Sequence, residues 1–280
     1  MSANLSFRRP CCDAPPRVAI VIPAYRPTGV LDNLVERLVD LGVPAVLVVD
    51  DGSGPKHQRV FGRIGREPCV HVLRHAGNLG KGMALKTGMR YFLEHLRHYT
   101  GLVTADANGQ HSVDDILRVA RALHKAPRLA ILGARTFHGV RAKSDCGLPQ
   151  RALIGNRMMA FIFRAFTGVP LSDAQTGLRG LPTTLVPSLL SLPGSRYEYE
   201  MSVLSHIARS GHPLAEQPIR TIYGPGISDS RFRPVADSWL VLRALIAAPQ
   251  PSLFRPDVAA LAEGAAEFER SSLDPTLHAN

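Results

Sequence analysis

Aromatic residues are scarce in this chain of 280 residues, at 6%. No run interleaves basic and aromatic side chains, so a stacking surface for nucleic acid is not expected. No stretch of about 18 uncharged apolar residues occurs, so no membrane-crossing helix is expected. Residues 1–16 lack the apolar core of a signal peptide and read as a disordered leader. The four cysteines, Cys11, Cys12, Cys69 and Cys146, lack a paired metal-binding spacing and read as reduced thiols of a cytoplasmic protein. The eleven histidines form neither H-E-x-x-H nor a His–Cys cluster, which argues against zinc catalysis. The absence of G-x-S-x-G argues against a serine hydrolase. No internal repeat is present.

Hydrophobic residues make up 45% of the chain, enough for a full core. The formal net charge of +10 favours anionic partners, such as phosphates or an acidic membrane face. Continuous apolar runs at 17–22, 45–49, 70–73, 101–105 and 129–133 read as buried strands. Helical spacing lies between them, as at Leu31, Leu34, Val35 and Leu38, at Leu85, Met89, Phe92 and Leu96, and over 116–123. This alternation predicts an α/β fold with a mostly parallel sheet and crossover helices. After about residue 138 it fades. Helices are expected over 155–168 and 197–209, with a strand within 213–223. Residues 249–280 read as a loosely attached tail, with one helix over 258–268.

Ligands of such sheets sit at the carboxyl ends of the strands. Pro23, Asp50, Asp51, Asp106 and Arg135 all fall at or just past predicted strand ends. Asp106-x-Asn108-x-Gln110 places a carboxylate and two amides on alternate residues after a strand. Such oxygens suit magnesium or manganese when a diphosphate supplies the missing charge. Asn-Gly is equally a turn signal. Asp50-Asp51-Gly52-Ser53 offers carboxylates for a base, a ribose or a metal, or simply punctuates a strand. Asn78-x-Gly80-Lys81-Gly82 precedes a helix whose start offers free N–H groups, although it lacks the Walker spacing. Arg135 suits a phosphate. The segment from Asp173 through Gln175 and Gly177 to Arg179 combines an acid, an amide and a base, as an acceptor-side group or as a helix cap. In the helix near 154–169, Met158, Met159, Ile162, Phe163 and Phe166 cover a broad arc, with Arg157, Arg164 and Phe161 opposite. A basic apolar helix of this kind suits a membrane interface, with Arg141, Lys143 and Arg151 adding charge, or else packs in the core.

In this order, these motifs resemble the inverting family 2 glycosyltransferases with a GT-A fold, most of all the dolichyl- or polyprenyl-phosphate sugar synthases. Ile22-Pro23-Ala24-Tyr25 resembles the opening P-x-Y motif, and Asp50-Asp51-Gly52-Ser53 the nucleoside-binding D-D-x-S. Asn78-x-Gly80-Lys81-Gly82 resembles N-x-G-K-G, and Asp106 to His111 resembles D-A-D-G-Q-H. Gly133-Ala134-Arg135 is similar to G-S-R, and Asp173 to Arg179 to D-x-Q-x-G-F-R. Tyr197-Glu198-Tyr199-Glu200 resembles the family's aromatic-acidic helix start. Two departures stand out: Asn108 replaces the second aspartate of D-x-D, and Arg26-Pro27 follows Tyr25 where an acid is usual.

The resemblance implies a GT-A domain over 17–248, with a nucleotide-sugar half at 17–137 and an acceptor half at 138–248. It implies that Pro23, Tyr25, Asp50, Asp51, Lys81, Asp106, Ala107 and Asn108 contact the nucleotide-sugar. Asp106, Asn108 and Gln110 would hold Mg2+ or Mn2+, and Arg151, Gln175 and Arg179 would face the acceptor. Asp106, Arg135 and Asp173 are the implied catalytic residues, with Asp173 as base for a hydroxyl acceptor. The expected reaction is metal-dependent, inverting transfer from a UDP- or GDP-linked sugar to polyprenyl phosphate, at the cytoplasmic face of a membrane. A soluble or protein hydroxyl acceptor, and non-catalytic binding of a nucleotide-sugar, are the alternatives.

Overall fold

A computed structural model of the chain describes residues 16–135 and 150–220, with the side chains of 150–154 left out. Among the described residues, seven strands form one sheet: β1 (Val18–Ala24), β2 (Ala45–Asp50), β3 (Val70–Arg74), β4 (Gly101–Thr104), β5 (Ala130–Arg135), β6 (Arg179–Pro182) and β7 (Leu214–Ile219). Their spatial order is β3-β2-β1-β4-β6-β5-β7. The first four strands and β5 are the five apolar runs expected from sequence. β1 pairs in parallel with β2 and β4, β2 with β3, and β5 with β7. Only β6 runs antiparallel, against both β4 and β5. The architecture is the expected mixed, mostly parallel α/β sheet with flanking helices.

Alternate side chains of the sheet serve two cores. Val18, Ile20 and Ile22 pack with α1 (Gly29–Asp40) and α4 (Val113–Lys125) through Leu31, Leu38, Ile116 and Leu123. Ala19 and Val21 face the other side, where α3 (Lys81–His95) and α7 (Glu198–Arg209) contribute Leu85, Met89, Phe92 and Val203. A third cluster joins β5 to α5 (Gln150–Thr167) and α7 through Leu132, Met159, Phe163 and Leu204. Helix α4 starts on Ser112, whose hydroxyl accepts the Asp115 N–H at 3.1 Å, a satisfied N-cap.

Several details differ from the sequence reading. β1 continues through Pro23 to Ala24. Ala105 N–H donates to the Val21 carbonyl and Asp51 N–H to that of Ala24, so Pro23 faces the β4 side, past the last residue of β4. There its missing N–H breaks no ladder bond. The short helices α2 (Gln58–Ile64) and α6 (Val186–Leu190) were not expected, and neither was β6. The sequence of β6, Arg-Gly-Leu-Pro, has turn composition, yet all four residues are buried between β4 and β5. Because β6 is antiparallel, its start lies at the same sheet edge as the carboxyl ends of β4 and β5, with Arg179 opposite Thr104 and Leu132. The leader, Cys11, Cys12 and Cys146, Arg141 and Lys143, the Arg151 side chain and the tail lie outside the described residues.

Gly52, after β2, has φ of +70°, and a Cβ there would overlap the backbone of Gly77. Gly52→Ala is therefore expected to cost on the order of 2 kcal/mol, read as a drop in thermal midpoint. An unchanged midpoint would show that the two loops do not press together as described.

Candidate active site

Strand order reverses between β1 and β4, and a cavity of about 840 Å3 opens beyond their carboxyl ends. Three loops are first fixed to one another at its rim. The Asp50 carboxylate accepts from Ser53 N–H at 2.8 Å and from the Gln58 amide at 3.2 Å. Ser53 Oγ in turn accepts from Arg26 N–H at 2.8 Å, tying the exit of β1 to that of β2. Asp51 is buried and accepts from His75 Nδ1 at 2.7 Å and from Leu79 N–H and Gly80 N–H, each at 2.8 Å. The carboxylate thus shapes the glycine loop that carries Lys81. Asp51 lines the cavity, and Asp50 does not.

The glycines of that loop serve packing against α7. Gly80 has φ of +102°, and a Cβ there would overlap the Ser195 carbonyl oxygen. At Gly82 a Cβ would lie 2.6 Å from that of Tyr199. Met83 N–H already donates to the Ser195 carbonyl at 3.0 Å. The expected row of free N–H groups at this helix start is therefore partly engaged by the chain itself.

Lys81 reaches over this junction into the cavity. Its ammonium lies 2.6 Å from Asp106 Oδ1 and 2.9 Å from Glu200 Oε2, and 5.7 Å from the centre of the Tyr197 ring. His111 Nε2 lies 3.3 Å from the other Asp106 oxygen. Burial alone would raise the pKa of Asp106, but Lys81 and His111 together hold it well below the usual carboxylate range. Burial alone would lower that of Lys81, but Asp106 and Glu200 hold it above the ordinary lysine range.

Asn108 and Gln110 line the cavity beside Asp106. Asn108 Oδ1 accepts from Gln110 N–H at 3.1 Å, so the sequence Asn-Gly does make a side-chain-stabilised turn here. Arg135, at the end of β5, also lines the cavity. It donates to Asp173 through Nε at 2.5 Å and through a terminal nitrogen at 2.9 Å. Asp173 is completely buried, does not line the cavity, and also accepts from Gln175 N–H at 3.0 Å. The expectation of Asp173 as an acceptor-facing base does not fit this placement, because both its oxygens are taken behind the cavity wall. Arg179 is buried at the start of β6, donating to the Thr176 and Glu200 carbonyls. Burial pulls its pKa below the ordinary arginine range, against the carboxylates of Glu200, Asp173 and Asp106.

Pro23, Tyr25, Ala107, Gln175 and Arg179 line the same cavity. Of the expected site residues with described side chains, only Asp50 and Asp173 stand behind its wall. Glu200, His111, His75 and Tyr197 are contributors that the sequence reading did not assign to the site. His75 follows β3 directly, where strand-end reasoning would have found it. Glu200 stood in the quoted Tyr-Glu-Tyr-Glu segment but read only as part of a helix start.

Comparisons with known proteins bear on the family and the fold. The family model for Glycosyl transferase family 2 matches residues 19–164. The UDP-N-acetylglucosamine--dolichyl-phosphate N-acetylglucosaminyltransferase of Methanococcus voltae is 27% identical over 74% of this chain and 86% of its own length. The undecaprenyl-phosphate mannosyltransferase of Micrococcus luteus is 30% identical over 72% of this chain and 82% of its own. Among solved structures, glucosyl-3-phosphoglycerate synthase from Mycobacterium tuberculosis, a GT-A glycosyltransferase, superposes with a TM-score of 0.58 at 16% identity, covering 84% of this chain and 81% of that one. The fold is accordingly GT-A.

The depressed Asp106 pKa has a consequence for stability. A carboxylate with a lowered folded-state pKa contributes fully above its unfolded value, about 3.9, and loses that contribution as pH falls through the folded value. Lys81, raised in the folded state, keeps its contribution until pH rises above the ordinary lysine range. The difference in thermal midpoint between the wild type and Asp106→Asn is expected to be flat from about pH 6 to 8 and to shrink below about pH 4. A difference that widens toward acid would contradict the ion-pair assignment.

Proposed function

The chain belongs to glycosyl transferase family 2, and on that premise we propose that it transfers a sugar, with inversion, from a nucleoside-diphosphate donor to a polyprenyl phosphate. The observation that carries this reading is the convergence of Asp106, Lys81 and Arg135 on one cavity at the strand ends. Pro23 and Tyr25, at the end of β1, form the wall for the nucleoside, and Asp51 holds the loop beside them.

A divalent cation fits the residues present. Asp106 contributes a carboxylate, and Asn108 and Gln110 contribute amide oxygens on the same short loop, all facing the cavity. Among the described residues no group of three or more His, Cys, Asp or Glu could hold an ion unaided. The ion would therefore share its shell with donor diphosphate oxygens, as Mg2+ and Mn2+ commonly do. When bound it would neutralise charge on the departing diphosphate.

Arg135 supplies a fixed positive charge for the phosphates. Its fork is oriented by Asp173, whose role in this reading is positioning. A phosphate acceptor is already anionic and attacks the anomeric carbon without a general base. A buried Asp173 with both oxygens engaged suits that acceptor better than a hydroxyl.

The acceptor class is further supported by two relatives named for transfer to dolichyl and undecaprenyl phosphate. Helix α5 adds a physical reason. Met159 and Phe163 pack inward, and Met159 reaches the cavity, while Met158 and Phe161 are 57% and 73% exposed beside the exposed Arg157 and Arg164. Phe166 is exposed as well. Such a face suits peripheral contact with anionic lipid, with the acceptor phosphate entering the cavity and its isoprenoid chain left in the bilayer. No helix among the described residues is long and apolar enough to cross a membrane.

The test is transfer from a panel of UDP- and GDP-sugars to polyprenyl phosphate in anionic liposomes, with Mg2+ or Mn2+. One donor is expected to give product, chelation to abolish it, and Arg135→Ala to reduce the rate about 100-fold. Absence of lipid-linked product with every donor would refute the acceptor assignment.

A further inference from the structure

The Lys81 ammonium sits where positive charge is needed at Asp106, and it has a second carboxylate within reach. We infer that Lys81 is a built-in competitor of the divalent cation, which makes cation binding conditional on the donor, with Glu200 receiving the ammonium when the cation enters. The inference rests on the proposed diphosphate-and-cation site and concerns the order in which that site fills.

Three observations carry it. Lys81 Nζ is 2.6 Å from Asp106 Oδ1 and 2.9 Å from Glu200 Oε2, so it is shared between the two carboxylates. All three side chains are largely shielded from solvent, so removing one partner from a charged group there is expensive unless another remains. With Glu200 in place, a cation can take the Asp106 oxygen without stranding the ammonium. The local charges also balance. Asp106 and Glu200 are offset by Lys81 and the buried Arg179, the Arg135–Asp173 pair adds no net charge, and Asp51 and the exposed Arg196, which also line the cavity, offset one another.

A divalent cation entering this balanced site alone adds uncompensated positive charge beside Lys81. Entering with the two negative charges of a nucleotide-sugar diphosphate, it adds none. Cation and donor should therefore enhance each other's binding by the same factor, since coupling between two ligands is reciprocal. The Asn108 amide fits this logic: an aspartate there would add a negative charge for the cation, whereas an amide adds an oxygen and no charge.

The test measures Mn2+ binding from the free-ion electron paramagnetic resonance signal, alone and with UDP or GDP. Wild type, Lys81→Met and Glu200→Gln are compared, with thermal melts to check folding. Wild type is expected to bind Mn2+ weakly alone and about tenfold or more tightly with one nucleotide. Lys81→Met is expected to bind Mn2+ alone about tenfold more tightly than wild type and to lose most of the nucleotide-dependent gain. Glu200→Gln, which leaves Lys81 only Asp106, is expected to weaken Mn2+ binding in the presence of nucleotide. Should Lys81→Met fail to fold, the Glu200→Gln comparison decides. If wild type binds Mn2+ with neither nucleotide, the cation site itself is wrong. If wild type binds Mn2+ with nucleotide while Lys81→Met gains no nucleotide-free affinity, or Glu200→Gln matches wild type, the cation site stands and the competition is wrong.

Discussion

A single ammonium joins the three elements that close around the cavity. Lys81 comes from the start of α3, Asp106 from the loop after β4 and Glu200 from the first turn of α7, and all three meet within 2.9 Å contacts. The strand ends alone would leave Asp106 as a carboxylate in a partly desolvated cleft, with its pKa driven upward by burial. Lys81, with His111, reverses that direction and keeps Asp106 ionised. It also ties α7 to the sheet side of the cavity, so the start of α3, the loop after β4 and α7 share one charge cluster.

That cluster depends on close backbone approach below it. Asp51 bonds two consecutive N–H groups of the glycine loop, and Gly80 and Gly82 let the loop press against 195–199. The antiparallel β6 completes the geometry. An all-parallel sheet would carry the segment 173–178 to the far edge of the sheet. Reversing one strand brings it back beside Asp106, where Thr104 Oγ donates to the Gly177 carbonyl at 2.7 Å. Arg135 is then set by Asp173 from that same segment. One unusual strand direction therefore explains how residues far apart in sequence share a cavity.

The parts of this design visible in the sequence are those with a strong local signal. Parallel strands buried on both faces are continuous apolar runs, so β1, β2, β4 and β5 stand out, and the oxygen-bearing residues just past them mark the cavity. Arg-Gly-Leu-Pro of β6 carries no such signal, because its strand character comes wholly from neighbours on either side. Residue types were also easier to read than directions. Asp50 and Asp173 are acids at the right loops, yet their oxygens turn inward to Ser53 and Gln58 and to Arg135. Glu200 was hidden because an acid in the first turn of a helix is ordinary dipole complement. Only tertiary packing reveals that this one faces Lys81.

Asp106 is proposed to hold the cation that meets the donor's charge, with Asn108 as its neutral partner. The most direct test is the initial rate of sugar transfer for Asp106→Ala and Asn108→Asp, measured side by side under one set of donor and metal conditions. Asp106→Ala should abolish turnover, while Asn108→Asp should keep or raise it. Turnover that survives Asp106→Ala would contradict the account.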